Sequence, residues 1–574
     1  MHKLNFDRYL RFDELTRTLQ DWAAARPDLL RLSSIGKSYS GRDIWLATLT
    51  RFATGSDLDK PAIWIDGNIH SAELIASMAA LRLIQDLLEK DGQDAEISRC
   101  LDSRVFYICP RVNPDGAEWA LADIPKLVRS SIRPWPWIDT PTDGLEIQDM
   151  DGDGRILTMR IADSNGPWKV SSREPRLLVQ RDPAETGGQY YRLLTEGRFR
   201  NFDAMTLPVH KVQEGLDLNR NFPARWRGEH EQYGAGPFPG SEPEVRAIID
   251  FIGSHGNICS GVALHSYSGL LLRPFSYVPD EDMPAEDRWT YTRIGAKGEQ
   301  LTGYPAVAAY HDFRYHPQET STGAMDDWMY EELGRFAWTV EFWSPHRQAG
   351  IDNTRYIDWY REHDHEDDIK LLAWSDNALH GKAYIDWYPY DHPQLGAVEL
   401  GGWNPLFSFW NPPPEALAEE ISGIPKWLIW HNLISPCLAW RETRVEQLQQ
   451  DLWRIQTVVE NTGWLPTDIT RLARDKKMLR GVVLELVSDD ALVMTATGGR
   501  VQCAQLEGRN LKASSPNVWG GRPSDPTEDR CTAEWIVKAS PGAKIFLHAH
   551  HERAGRIKQE LVLTPAAAAP DGKQ

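Results

Sequence analysis

Cysteine is scarce and scattered. The chain has six (Cys100, Cys109, Cys259, Cys437, Cys503 and Cys531) in 574 residues, with no CxxC pair and no dense framework. That argues against a disulfide-stapled scaffold and leaves reduced, buried thiols as the expectation. Long apolar runs are missing too: no stretch reaches the roughly 18 residues of a membrane span. The opening, MHKLNFDRYLRFDELTRTLQ, lacks the apolar segment of a secretory signal, so the expected location is cytoplasmic. Positive charge is in deficit, with 63 Lys and Arg against 82 Asp and Glu, a formal net charge of −19. Neither a nucleic-acid backbone nor an anionic membrane suits such a surface. Oligomeric state has no signature. Tryptophan, in contrast, is plentiful at 24 residues.

A chain of this length predicts two to four domains at roughly 150 residues each. Over the first 130 residues helical and strand patterns alternate: FDELTRTLQDWAAARPDLL, DIWLATLT, AIWID, SAELIASMAALRLIQDLLEK, RVFYIC. This alternation predicts an α/β core with a parallel or mixed sheet. The Pro-, Gly-, Asp- and Arg-rich stretch at about 134–210 reads as an irregular insertion. The α/β rhythm then resumes with EPEVRAIIDFIGSH and ICSGVALHSYSG. Beyond about residue 441 short strand patterns and turn signals predict a small all-β, sandwich-like domain. The reading is a catalytic domain over 1–440, a β domain over 441–565 and a disordered tail over 566–574.

Chemistry concentrates at strand ends. In IDGNIHSAELIAS, an apolar strand is followed at once by His70 and Glu73, three residues apart where a helix begins. Positions i and i+3 face the same way, so the two can share a metal ion. Alone, such a pair is more often a helix-end Glu beside a surface His. His265 in GVALHSYSG ends a second apolar strand and supplies a third ligand. Two His and one Glu, with a fourth position open for water, make a catalytic rather than structural zinc set. Glu341 sits among aromatic residues in GRFAWTVEFWSP, where a carboxylate is costly to bury. It either faces solvent or serves as the base for a metal-bound water. Asn219 and Arg220, in GLDLNRNFP, suit capture of a carboxylate.

Six segments taken in order, SIGKSYSGRDIWLATL, HSAE, NPDG, DLNRNF, HSYS and TGAMDDWMYEELGRFAWTVEFW, resemble the M14 zinc carboxypeptidases over about residues 5–345. The resemblance implies an α/β/α fold. It implies one Zn²⁺ on His70, Glu73 and His265, with Glu341 as general base and acid. Asn219 and Arg220 would grip the terminal carboxylate of a peptide or amide substrate, and Tyr267 would line the cleft. The oxyanion arginine has two candidates, Arg129 and Arg133, and Arg133 in SSIRPWP is preferred. Asp326 falls at the floor of the side-chain pocket, which goes with a C-terminal Lys or Arg unless a neighbour such as Arg314 holds it. Two departures stand out. Ala72 replaces the family's usual Arg, and the position of the mobile phenol falls near Glu319, with Tyr310 or Tyr315 as substitutes.

Inside the insertion, Asp149, Asp151 and Asp153 of DMDGDGRI match the first half of a calcium-binding loop. The twelfth position is Arg160 rather than Glu, so an Asp/Gly turn cluster is the competing reading. The expected activity is hydrolysis of a C-terminal peptide bond. The alternatives are a zinc amidohydrolase for a modified or cell-wall peptide or acyl-amino acid, and a non-catalytic binding protein using the Trp-rich surface or the β domain.

Overall fold

The structure is a computed structural model and describes residues 2–136, 143–209, 213–314, 316, 318–351, 356–510 and 525–565. The expected disordered tail and Tyr315 lie outside the described residues. An eight-stranded mixed sheet forms the framework: β1 (Leu30–Lys37), β2 (Asp43–Leu49), β3 (Ala62–Gly67), β4 (Val105–Cys109), β5 (Ile258–Ser266), β6 (Leu270–Arg273), β7 (Ala306–Ala308) and β8 (Phe336–Phe342). Their order is β1-β2-β4-β3-β5-β8-β6-β7. The central strands β4, β3, β5 and β8 are mutually parallel. All residues of β3, β4, β5 and β8 are buried, which explains their continuous apolar runs: a parallel sheet is covered on both faces. One face is covered by α1 (Phe12–Ala25), α2 (Leu74–Lys90), α4 (Ala285–Thr302) and α5 (Ile424–Leu433), the other by α3 (Pro243–Ser254) and the short helix Met325–Glu331. At the end of β3 a Cβ on Gly67 would stand 2.8 Å from the Ala76 carbonyl, so glycine lets α2 press against the strand from which it emerges.

The insertion differs from the irregular segment expected. Strands Thr158–Ala162, Trp168–Val170, Leu178–Gln180 and Tyr191–Thr195 join the hairpin Tyr384–His392/Gly396–Trp403 in a six-stranded sheet, and Gly144–Ile147 pairs with Gly197–Arg200. These strands are three to five residues long, and the hairpin that completes the sheet comes some two hundred residues later. No local pattern announces such a pairing. The C-terminal region is two four-stranded antiparallel sheets around a core that includes Trp453, Ile455, Trp535 and Leu547. It docks on the N-terminal region through the buried Arg553. Its guanidinium donates to the carbonyls of Gly334 (2.7 Å), Asp468 (3.2 Å) and Leu333. Among the described residues no helix is long and apolar enough to cross a membrane.

Candidate metal centre and cleft

Three parallel strands deliver the central residues to one edge of the sheet, the carboxyl edge where such folds bind ligands. His70 and Glu73 lie on the turn between β3 and α2. His265 and Glu341 face each other in register on β5 and β8. The turn is laced in place. Asn68 Nδ2 donates to the His70 carbonyl (2.7 Å), Ser130 Oγ donates to the Ile69 carbonyl (2.8 Å), and Asn113 Nδ2 donates to the Ser130 carbonyl (2.5 Å).

His70 Nδ1 is 2.8 Å from one Glu73 oxygen, and His265 Nδ1 is 2.9 Å from the other. The two ring nitrogens are 3.1 Å apart. Protons on both ring nitrogens would satisfy the carboxylate but set two N–H groups 3.1 Å apart, and His70 would need a second proton to meet Asp217. A shared divalent cation satisfies them together, and N, N and O donors fit zinc. On the far side of His70, Nε2 meets Asp217 Oδ1 at 3.1 Å, the carboxylate partner that commonly orients a ligand imidazole. Burial alone would raise the Glu73 carboxyl, but the His70 and His265 rings outweigh it and hold it below the usual range. Glu341 goes the other way. Burial and the neighbouring Glu73 charge push it well above the ordinary carboxylate range, and its Oε2 is buried without a hydrogen-bond partner.

A cavity of about 560 Å³ opens beside this set, lined by His70, His265, Glu341, Asn219, Arg220 and Asp326 among others. Asn219 Oδ1 is anchored by the Met325 N–H at 3.0 Å. Asp326 accepts from Thr339 Oγ1 (3.1 Å) and from the Asp327 N–H (3.0 Å). A second cavity of about 320 Å³ lies across Arg129 and Glu341 and includes Tyr267. Arg133, the preferred oxyanion candidate, is placed elsewhere: its Nε and Nη2 bind both oxygens of the fully buried Glu242 at 2.9 and 2.6 Å. Arg129 occupies the cleft instead, 3.0 Å from Asp217 and 3.5 Å from Glu73, and lines both cavities. Four residues apart on irregular backbone, the two arginines could not be told apart from spacing. Tyr310 stacks under Arg314, 4.0 Å from the guanidinium, and lines neither cavity.

The calcium expectation finds no support. Asp149, Asp151 and Asp153 do lie close together, but the loop satisfies itself. Asp149 accepts from the N–H groups of Gly152 and Gly154, Asp151 from Asp153 N–H and the Tyr388 hydroxyl, and Asp153 pairs with Arg155. Arg160 is turned to Glu399.

Two elements beside the candidate site were missed in the sequence. Asp217 had a signal, as the acid that opens DLNRNF. The segment 404–412 had none. It hydrogen-bonds beside the turn after β3 and the ends of β5 and β8. Asn411, fully buried, accepts from the Ile75 N–H (2.9 Å) and donates to the Ala72 carbonyl (2.7 Å). Ser266 Oγ donates to the Trp410 carbonyl (2.5 Å), and Trp343 Nε1 to the Ser408 carbonyl (2.7 Å).

The family model described as zinc carboxypeptidase matches residues 15–364, and one described as a domain of unknown function (DUF8731) matches residues 437–562. The chain is 26% identical over 345 residues to carboxypeptidase A1 of Sus scrofa, covering 59% of this chain and 63% of that relative. It is 25% identical over 279 residues to carboxypeptidase A2 of Mus musculus, 48% of each. The chain thus spans less than two thirds of the length of these relatives. Among solved structures, bovine thrombin-activatable fibrinolysis inhibitor in complex with tick carboxypeptidase inhibitor matches at 19% identity and a TM-score of 0.38, covering 66% of this chain and 99% of that one.

Proposed function

Because this chain belongs to the zinc carboxypeptidase family, we propose that it is a zinc metallocarboxypeptidase that releases the C-terminal residue of a peptide with a free carboxylate. The observation that carries this reading is the convergence of His70 Nδ1, His265 Nδ1 and the Glu73 carboxylate beside a buried, unpartnered Glu341 oxygen. Those three residues would hold the ion. When bound, zinc supplies a Lewis acid for the scissile carbonyl and lowers the pKa of water to about 7.

The protein's own groups do the rest. Glu341 Oε2 takes the proton of the attacking water and returns it to the leaving amine. Asp217 holds the His70 ring in one orientation through Nε2. Arg129, shared by both cavities, donates to the oxygen on which charge develops. Arg220 and the Asn219 amide, whose oxygen is already committed to Met325, grip the terminal carboxylate. Asp326 receives the side chain of the departing residue.

The test combines metal analysis with turnover of blocked C-terminal dipeptides. The wild type should carry about one zinc per chain. His70→Ala should lose both metal and activity. Glu341→Gln should keep fold and metal while kcat falls about 10²–10⁴-fold. Stoichiometric zinc in His70→Ala, or near-normal turnover by Glu341→Gln, would overturn the assignment.

A further inference from the structure

Resting on that reading, the geometry points to a second specificity subsite: Trp410, from outside the family-matched segment, walls a pocket for an aromatic or large apolar side chain on the residue preceding the scissile bond.

Asn219, Arg220 and Asp326 share the larger cavity, so the C-terminal residue lies there. Arg129 and Glu341 stand on the boundary, lining both cavities. Whatever precedes the scissile bond must therefore enter the smaller one. That cavity, about 320 Å³, is walled by Tyr267, Trp410, Tyr360, Phe313 and Arg314, the last two of which also line the larger one. Tyr267 sits inside an aromatic frame. Its ring is 5.6 Å from Trp410 at 82°, 6.0 Å from Phe409 at 73° and 6.5 Å from Tyr360 at 82°. Edge-on aromatic walls of this kind accept another ring or a bulky aliphatic group, and a pocket of a few hundred Å³ holds one large side chain.

Trp410 is fixed there by the chain itself. The segment matched by the family model ends at residue 364. Residues 404–412 return to the cleft and are pinned to the backbone beside Glu73 through Asn411 and beside His265 through Ser266. The Asn411 contact is made at Ala72 itself, the position where the resembling family usually carries Arg.

The test compares kcat/KM for blocked dipeptides with one C-terminal residue and Phe, Ala or Glu before it. It uses wild type, Trp410→Ala and Trp410→Leu. Wild type should favour Phe over Ala about tenfold or more. Trp410→Ala should bring that ratio near unity, and an unchanged far-UV spectrum with about one zinc per chain shows that the fold survives. Trp410→Leu should keep an intermediate preference. An unchanged ratio in Trp410→Ala, or a wild-type preference for Glu, which would hand the pocket to Arg314, overturns the subsite. Calorimetric binding of the same peptides to Glu341→Gln separates the two readings. If wild type hydrolyses nothing but Trp410-dependent tighter binding of Phe persists, the subsite stands and the carboxypeptidase reading falls. If hydrolysis occurs without that dependence, the subsite alone falls. If nothing is hydrolysed or bound, both fall.

Discussion

The cleft and the seam under the C-terminal sandwich both bury charged groups, and they treat them in opposite ways. At the seam most of the charged atoms are spoken for, although Arg553 Nε is buried without a partner. The Arg553 guanidinium reaches three carbonyls, and Asp287 accepts the Arg471 and Leu472 N–H groups at 2.6 and 3.0 Å. In the cleft the groups are held only in part. Glu341 Oε2 and His265 Nε2 are buried without partners, and two imidazoles crowd one carboxylate. Burying an unpaired polar group costs free energy, so a site that keeps several beside a cavity is arranged for something that enters it. An unpartnered polar atom beside a cavity, more than burial alone, marks a charge that can act.

Two arginines put this contrast to its largest test. Arg129 and Arg133 both pair with acids, but only Arg129 does so at the cavity. Arg129→Ala should lower kcat/KM about 10²–10³-fold, the usual cost of an oxyanion donor, with a smaller stability loss than at Arg133, because Asp217 keeps His70 Nε2 and the Asn219 N–H as partners. Arg133→Ala strands the buried Glu242 carboxylate and should cost about 3 kcal/mol of stability, while kcat/KM of the folded protein stays within about threefold. Denaturant unfolding and steady-state kinetics on the same preparations decide it. If Arg133→Ala gives the larger kinetic loss, the oxyanion assignment reverts to the residue first preferred from sequence.

What could be read in the sequence follows the same division. His70, Glu73, His265 and Glu341 were visible because each stands at or near the end of an apolar strand, and a parallel sheet brings such ends together. Asn219 and Arg220 were visible as an amide and a guanidinium side by side. The choice between Arg129 and Arg133 was not, since the direction of a side chain on irregular backbone depends on tertiary partners such as Glu242. The 404–412 segment was invisible for a stronger reason. Its hydrogen bonds reach partners from 65 to 339 residues away, and Asn-Pro-rich sequence carries no periodicity to suggest a destination. The inserted sheet failed likewise, with strands too short to show alternation.

Asp326 gives the second test, a change of preference rather than of rate. It is 4% exposed, and burial raises its carboxyl above the ordinary range. Its hydrogen bonds come from the Thr339 hydroxyl and the Asp327 N–H rather than from a cation, which leaves it as the group a substrate Lys or Arg would complete. The expectation is kcat/KM for a C-terminal Arg about tenfold or more above that for Phe, because a neutral side chain leaves the charge unpaired. Asp326→Ala should remove most of that ratio. A wild type that prefers Phe, or a ratio indifferent to the substitution, would move Asp326 to the structural side of the comparison.

The smallest effect on catalysis, and the one that sharpens the comparison outside the cleft, is in the pH dependence of stability. Glu244 opens α3 with one oxygen on the Tyr39 N–H at 2.8 Å and the other buried without a partner. Burial first, helped by the Asp115 and Glu242 charges, pushes its carboxyl up to about 7. Because the folded state binds this proton more tightly than the unfolded chain, the stabilisation is present below about pH 4.5 and is lost as pH rises through about 7. His551, near the seam, is the opposite case. Its Nε2 meets Gln505 Oε1 at 3.0 Å and its Nδ1 accepts the Arg553 N–H at 3.1 Å, so the neutral ring is satisfied, and burial lowers it to about 3. Its contribution is full above about pH 6.5 and is lost as pH falls toward 3. Glu244→Gln keeps an acceptor for Tyr39 without the charge. It should match wild type near pH 4.5 and exceed it by about 3 kcal/mol near pH 8. His551→Gln should be less stable than wild type near pH 8, with the gap narrowing toward about pH 5. Turnover of both should stay within about twofold at pH 7, since neither touches the cleft. Denaturant midpoints at the two ends of the range read the signs directly. A Glu244→Gln difference that does not grow with pH, or a His551→Gln gap that widens on acidification, would mean that partner count does not govern how this fold treats its buried charges.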